Sequence, residues 1–262
     1  MRRALALVLF GFLFSGCGTN IPLAPIFDAR DTSQAPHVCR KTKAFEVGGV
    51  PLWRMPDGGP ILFVSKMAVS ADGAPNAYHP ADRGTDKLSS GGVPGNWWAV
   101  ATDDGSTGGR PLLQRAKDPF PGYYISMTSL FDPKYSRSNP RRFVDARNVP
   151  YFVLPHNRTA GAELGDVGVV YYPESGRISA AIFADVGAPD AIGEGSIRLA
   201  RNLGIDADPR SGGVDEGVVY VVFPGSGRGT PMAPREIKRV SSALFNEWGG
   251  EARLKVCLGA MQ

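Results

Sequence analysis

The sequence is poor in the residues that most often carry metal or thiol chemistry. Its 262 residues include three cysteines and three histidines. The histidines are scattered and no CxxC or HxxxH spacing occurs, so no metal site is predicted. The chain also has no G-x-S-x-G nucleophile elbow, no phosphate-binding loop ending in GK[ST] and no dinucleotide-binding fingerprint. We therefore expect neither a cofactor nor a nucleotide-dependent activity.

Charge of either sign is also sparse. Charged residues make up 21% of the chain. Without residues 1–16, 27 basic and 25 acidic residues remain, and no basic run is interleaved with aromatic residues. This balance gives no reason to expect a nucleic-acid partner.

The N terminus has the pattern of a secretory signal. A basic start precedes the apolar run Ala4–Phe14, which is too short to span a membrane. Ser15, Gly16 and Cys17 follow and resemble a bacterial lipobox, in which the cysteine receives a diacylglycerol. Gly18 after the cysteine favours the outer membrane, by resemblance to known lipoproteins. The alternative is an ordinary signal peptide with an incidental cysteine.

These signals divide the chain into three parts. We predict a signal peptide at 1–16, a lipidated tether at 17–37 and a single catalytic domain at 38–262. The protein would then be lipid-anchored in the bacterial cell envelope, or secreted. If Cys17 carries lipid, Cys39 and Cys257 remain as a pair, and in an oxidising compartment we expect them to form a disulfide. The alternative is two buried free thiols.

The remaining sequence predicts a mostly β fold with a few helices, arranged as a β-barrel with long loops. Gly (33) and Pro (22) are abundant, and short runs rich in β-branched and aromatic residues recur between turns. Helical periodicity occurs at Ser196–Leu203 and Pro234–Trp248, with glycines at their ends. The predicted strands are 61–69, 97–101, 123–130, 151–154, 167–172, 177–184 and 218–223.

Several acidic residues lie at the ends of these strands. Asp72 follows the first, Asp166 precedes the strand at 167–172, Asp185 ends the next, and Glu194 follows nine residues later. A carboxyl group beside apolar residues is partly desolvated, which raises its pKa as a general acid requires. Two carboxyl groups in unequal environments are the equipment for cleaving a glycosidic bond. Any one of them could instead be an ordinary turn residue.

Six segments in order resemble the chitosanases of glycoside hydrolase family 75. They are ADGAPNAYHP (71–80), PFPGYYISMTSL (119–130), NVPYFVLP (148–155), ELGDVGVVYYPESG (163–176), ADVGAPDAIGEGSIRLARNLGI (184–205) and VVFPGSG (221–227).

The resemblance implies endo-acting hydrolysis of β-1,4-linked glucosamine polymers with inversion, by an Asp and a Glu. Asp185 and Glu194 match these positions, with Asp190 as the local competitor for the second. We expect Glu194 to be the general acid and Asp185 the base, about 6.5–9.5 Å apart. The Asp-Gly loop after a strand also resembles double-psi β-barrel hydrolases, which makes that barrel type a candidate.

Four further residues are predicted to bind substrate. Asp72 could bind the ammonium group of glucosamine, Tyr78 and His79 could donate or accept hydrogen bonds, and Trp97 could stack on a sugar ring while Trp98 packs in the core, or the reverse. We expect a monomer whose partners are a polysaccharide and, through Cys17, a membrane.

Two other functions remain open on the sequence. A lipid-anchored envelope enzyme could cleave peptidoglycan as a muramidase or lytic transglycosylase, and a lytic transglycosylase needs only one acid. The domain could also bind a glycan without cleaving it.

Overall fold

A computed structural model describes residues 38–56 and 58–261. The predictions for residues 1–37, including the signal peptide, the tether and lipidation at Cys17, lie outside the described residues. The strands are β1 (Thr42–Val47), β2 (Val50–Arg54), β3 (Ile61–Ser70), β4 (Gly92–Val93), β5 (Asn96–Trp97), β6 (Tyr151–Pro155), β7 (Val167–Tyr172), β8 (Arg177–Gly187), β9 (Glu194–Ser196) and β10 (Val214–Phe223). The α-helices are α1 (Leu88–Gly91), α2 (Ile197–Leu203), α3 (Pro234–Trp248) and α4 (Gly250–Gly259).

Six strands form a closed barrel. Their order around the barrel is β3, β10, β7, β8, β6 and β9, and β9 pairs again with β3. The β3–β9 and β6–β8 pairs are parallel, and the other four are antiparallel. The hairpin of β1 and β2 extends the sheet beside β3. The predicted mostly β fold with a barrel, helices and long loops is confirmed.

Both faces of the barrel wall are buried, which explains why the strands are apolar at successive positions. In β10, Val218, Tyr220 and Val222 belong to the main core. The alternate residues Val219 and Val221 pack with Phe245 and Trp248 of α3 in a second cluster. Because successive strand side chains point to opposite faces, a strand covered on both sides reads as a continuous hydrophobic run.

The helices that the sequence predicts are present. Ser196 caps α2, because its hydroxyl accepts a hydrogen bond from the Leu199 N–H at 3.1 Å, and Gly204 ends the helix with a positive φ of 74°. α3 begins at Pro234 and ends at Trp248, with Gly249 as its C-cap, as expected. The sequence analysis did not predict α4, which begins directly at Gly250.

Residues 71–150 form long loops rather than the two strands predicted at 97–101 and 123–130. Those predictions were wrong in extent. The second segment forms only single bridges, Ser126 with Val100 and Tyr124 with Leu113, and the first contains only the end of β5 and the bridge at Val100. Loops joined by isolated bridges are typical of a region that carries a binding site on a rigid scaffold.

A disulfide between Cys39 and Cys257 connects the segment before β1 to α4. The bond joins residues 218 positions apart, with 4.9 Å between their Cα atoms. The predicted pairing is therefore confirmed. Among residues 38–56 and 58–261, no helix has both the length and the apolar character needed to cross a bilayer.

Candidate active site

Asp185 and Glu194 lie on either side of one barrel strand. Asp185 of β8 is the register partner of Val153 in β6, and Glu194 of β9 is the partner of the same Val153 from the other side. Adjacent strands are about 4.8 Å apart, so the two acidic residues are separated by about 10 Å at their Cα atoms. Both side chains and Val153 line one cavity. Glu194 is the first residue of β9.

Asp185 is a buried carboxyl group with strong hydrogen-bond support. Its exposure is 8%. Oδ1 accepts hydrogen bonds from the Ser129 hydroxyl at 2.6 Å, the Ser129 N–H at 2.8 Å and the Val186 N–H at 2.9 Å. Burial raises the pKa of Asp185, and these three donors act in the opposite direction because they stabilise the ionised form.

Glu194 has a different environment. Burial is the largest cause of its raised pKa, the negative charge of Asp185 adds to it, and together they raise the pKa of Glu194 to about 7. A hydrogen bond with Ser70 and the charge of Lys66 lower it in part. Glu194 can therefore hold a proton near neutral pH, whereas the donors around Asp185 favour its ionised form.

Asp72 is the third carboxyl group of the cluster. Burial raises its pKa well above the usual value, and the charges of Asp185 and Glu194 raise it further, while the hydrogen bond from Tyr78 opposes them. The Tyr78 hydroxyl donates to Asp72 Oδ1. The Tyr151 hydroxyl donates to the Asp72 carbonyl oxygen at 3.0 Å. Burial raises the pKa of both tyrosines, so they remain protonated donors that hold this loop in place.

Two cavities meet at the carboxyl cluster and form one cleft. We call the first, of about 540 Å³, the acidic arm; it is lined by Ser90, Val153, Gly187, Ala188 and Glu194. We call the second, of about 390 Å³, the basic arm; it includes Gly105, Ser106, Met127, Phe131, Arg137 and Arg142. Asp72, Trp98, Asp185 and Val186 line both.

The adjacent tryptophans have different positions. Trp97 is 5% exposed and packs 5.6 Å from the ring of Tyr124, although it also lines the basic arm. Trp98 is 51% exposed, and its indole N–H donates to the Ser90 carbonyl at 2.8 Å. The expected division into one core and one accessible tryptophan is present, and Trp98 is the accessible one.

Two other predicted binding residues are not exposed to the cleft: Tyr78 is buried, and His79 lies outside both arms. The ring of Tyr78 is buried, so this residue contacts Asp72 rather than the open cleft. His79 accepts a hydrogen bond from the Ala81 N–H at 3.0 Å and packs edge-on against Tyr123 at 4.8 Å. It lines neither arm. Substrate binding by His79 stays a prediction without a contact in the cleft.

Asp166 and Asp190, also considered on the sequence, lie elsewhere. Asp166 is buried and accepts hydrogen bonds from the N–H groups of Glu163, Gly225 and Gly227 at 2.8–3.1 Å, so it anchors two loops. Asp190 is exposed and lines a separate surface cavity. Within residues 38–56 and 58–261, no cluster of three or more His, Cys, Asp or Glu side chains is arranged to hold a metal ion.

Sequence reasoning missed Ser129, Ser70 and Tyr151. Ser129 lies within the PFPGYYISMTSL segment, which was quoted for its resemblance and not for chemistry. Its contact with Asp185 spans 56 residues, so no local pattern could reveal it. Ser70 and Tyr151 end β3 and begin β6, and their hydroxyls are bonded to each other at 3.0 Å.

Two carboxyl groups with unequal environments in an open cleft are an arrangement that glycosidases use. The profile of the family described as fungal chitosanase of glycosyl hydrolase group 75 matches residues 125–248, a segment that contains both Asp185 and Glu194. The resemblance seen in the sequence is thereby confirmed. Residues 125–248 are therefore similar to the glycosyl hydrolase group 75 family, and this similarity supports a glycosidase activity. No curated protein matches the chain.

Proposed function

We propose that the protein is an endo-acting hydrolase of β-1,4-linked amino-sugar polymers of the chitosan type, working by inversion. The observation that supports this most directly is the placement of Asp185 and Glu194 on either side of Val153. About two strand spacings separate them, which leaves room for a sugar and a water between the carboxyl groups. The family match supports the substrate class.

Glu194 is the proposed general acid. With a pKa of about 7 it is protonated at and below neutral pH, so it can donate a proton to the glycosidic oxygen as the bond from the anomeric carbon breaks. Asp185 is the proposed base. It accepts a proton from a water that attacks the anomeric carbon from the opposite face. Asp185 then releases this proton to solvent, and Glu194 takes up a proton from solvent, which restores both groups. The product forms with inverted anomeric configuration.

Asp72 is the proposed partner of the substrate's ammonium group. Its carboxyl group repels the other two negative charges, and a bound ammonium would offset that repulsion. Trp98, which is the exposed aromatic residue of both arms, is the proposed platform for a sugar ring.

Isosteric substitution tests the catalytic pair. Asp185→Asn and Glu194→Gln should each lower turnover of chitosan by at least about 100-fold, the scale of a lost general base or acid, while the melting temperature shows that the fold is kept. Asp190→Asn is the matched control and should leave turnover unchanged, because Asp190 lines another cavity. Full activity of Asp185→Asn on every glycan would refute the proposal.

Product analysis separates the alternatives. Mass spectrometry of the products should find saturated sugars released by hydrolysis. A 1,6-anhydro end, with Glu194→Gln still active and Asp185→Asn inactive, would indicate a lytic transglycosylase. Binding of glycan without any new reducing ends would indicate a non-catalytic binding protein.

We also propose that the protein acts as a monomer at the cell envelope, anchored through lipid on Cys17 after removal of residues 1–16, with 38–262 as the catalytic domain. The disulfide supports an oxidising compartment, since such bonds are rare in the cytosol. Cys17→Ser should move the protein from the detergent phase to the aqueous phase. A variant that stays in the detergent phase would contradict lipid anchoring.

A further inference from the structure

The two arms of the cleft differ in charge, and the proposed substrate does not explain this. Glu194 lies in the acidic arm, and Asp72 and Asp185 lie where the arms meet. The basic arm adds two guanidinium groups, those of Arg137 and Arg142, on the far side of Asp185 from Glu194. Chitosan is a polycation, so a subsite that contains two arginines would repel its ammonium groups.

The loops hold the guanidinium group of Arg142 in place and pack that of Arg137 on a glycine. Arg142 lies 3.9 Å from the ring centroid of Phe131, and it donates a hydrogen bond to the Tyr135 carbonyl. The guanidinium of Arg137 packs directly on Gly105, where any Cβ atom would overlap it. Gly105 also has a φ of +82°, so the backbone at this point favours glycine for two separate reasons.

Neither arginine is neutralised within the described part of the chain. No Asp or Glu among residues 38–56 and 58–261 forms an ion pair with Arg137 or Arg142. The neighbouring Asp132 is already paired with Lys134 at 2.7 Å. The hydrogen bond with Lys134 is the main cause that lowers the pKa of Asp132, and the charge of Arg142 contributes as well. Among the described residues, Arg137 is therefore the guanidinium of this arm that has no acidic partner and can meet a ligand.

From these contacts we infer that the basic arm is a subsite for a sugar unit that carries a carboxylate. A guanidinium group matches a carboxylate with two parallel hydrogen bonds. Phe131 and Trp98 in the same arm offer apolar faces for the ring. This inference rests on the proposed function and specifies its substrate: the natural polymer contains both amino sugars and carboxylate-bearing sugars. The carboxylate could belong to a lactyl ether or to a uronic acid.

Substrates in matched pairs test the inference on the full chain. The lactyl source is represented by peptide-free glycan strands of peptidoglycan and the uronic source by a glucosamine–uronic acid copolymer. Each is assayed beside the same polymer with its carboxylates reduced to alcohols, and beside chitosan. We expect kcat/KM for one carboxylated polymer to exceed that of its reduced form at least tenfold. The polymer that shows this preference identifies the source of the carboxylate.

Substitution at Arg137 then tests the residue. Arg137 is exposed, so Arg137→Gln should keep the melting temperature of the native protein. It should reduce the preference for the carboxylated polymer to within about twofold, and Arg137→Lys should restore part of the preference. Arg110→Gln is the control, because Arg110 is exposed, pairs with Asp103 and lies outside the cleft.

The outcomes separate this inference from the proposed function. Equal rates on both members of every pair, or a preference that survives both Arg137→Gln and Arg142→Gln, would overturn the inference while the hydrolase proposal stands. If the protein cleaves no polymer, the hydrolase proposal fails. Oligosaccharides cut from the same paired polymers are then tested by calorimetry for binding to the native protein and to Arg137→Gln. A tenfold preference in affinity for the carboxylated member that requires Arg137 supports the inference. Equal affinities for both members overturn it.

Discussion

The hydrogen bond from Ser129 to Asp185 should set the acid limb of the pH–rate profile. Its hydroxyl lies 2.6 Å from Asp185 Oδ1 and stabilises the ionised form that a base requires. A hydrogen bond to a charged group contributes about 1.5–3 kcal/mol, and 1.36 kcal/mol corresponds to one pKa unit. The N–H groups of Ser129 and Val186 remain in Ser129→Ala, so we take the lower end and expect the pKa of Asp185 to rise by about one unit.

Ser129→Ala should narrow the pH–rate profile from its acidic side. The limb that requires ionised Asp185 moves up by about one pH unit. The limb near pH 7 that requires protonated Glu194 stays in place, because Ser129 is not among the groups that shift the pKa of Glu194. The assay is release of reducing ends across pH 3–9 at substrate concentrations well below KM, on the order of a tenth of it. Ser136→Ala, whose exposed hydroxyl contacts Ser138, is the control. An unchanged acid limb in a folded Ser129→Ala protein would refute this assignment of the base.

Three further changes have expected outcomes. The pKa of Glu194 is raised from 4.5 to about 7 in the folded state, so the fold loses stability as the pH rises between these two values, and the loss is complete above pH 7. Glu194→Gln should therefore raise the free energy of unfolding by about 1–3 kcal/mol at pH 8 and change it little at pH 4; equal gains at both pH values would contradict this. Replacing Cys39 and Cys257 together by serine should lower it by about 2–5 kcal/mol in guanidinium titrations, since the bond closes a very long loop, and an unchanged midpoint would refute that. Trp98→Ala should raise KM for oligosaccharides roughly tenfold, about 1.4 kcal/mol of binding, with little effect on kcat; a change in kcat alone would argue against a stacking role.

Elements set by local signals could be predicted from the sequence. The hairpin of β7 and β8 turns at Pro173–Gly176, and its register partners Tyr172 and Arg177 flank that turn. The helix α3 was predicted with its observed bounds, because proline begins it and glycine ends it. Both signals lie within a few residues of the structure they specify.

Elements set by distant contacts could not be predicted. β9 is only Glu-Gly-Ser, with no apolar pattern, and it is a strand because it pairs with both β3 and β6. The sequence nevertheless indicated Glu194 as a candidate through its family resemblance and its glycine neighbours. The charge of the basic arm was missed, since Arg137 and Gly105 meet only in the folded loops. The choice between Trp97 and Trp98 likewise depends on which of them the core covers.

Val153 lies between the two acidic residues, and this position separates the stereochemistry of cleavage from the choice of polymer. An enzyme often has to change these two properties together. The distance from Asp185 to Glu194 is a property of the barrel lattice, set by backbone hydrogen bonds along β6. The residues proposed to meet the rest of the sugar chain, such as Trp98, Phe131 and Arg137, belong to segment 71–150. Loop substitutions can therefore exchange one polymer for another while the stereochemistry of cleavage is conserved, and a redesigned relative should change its preferred glycan long before it changes the anomer that it releases.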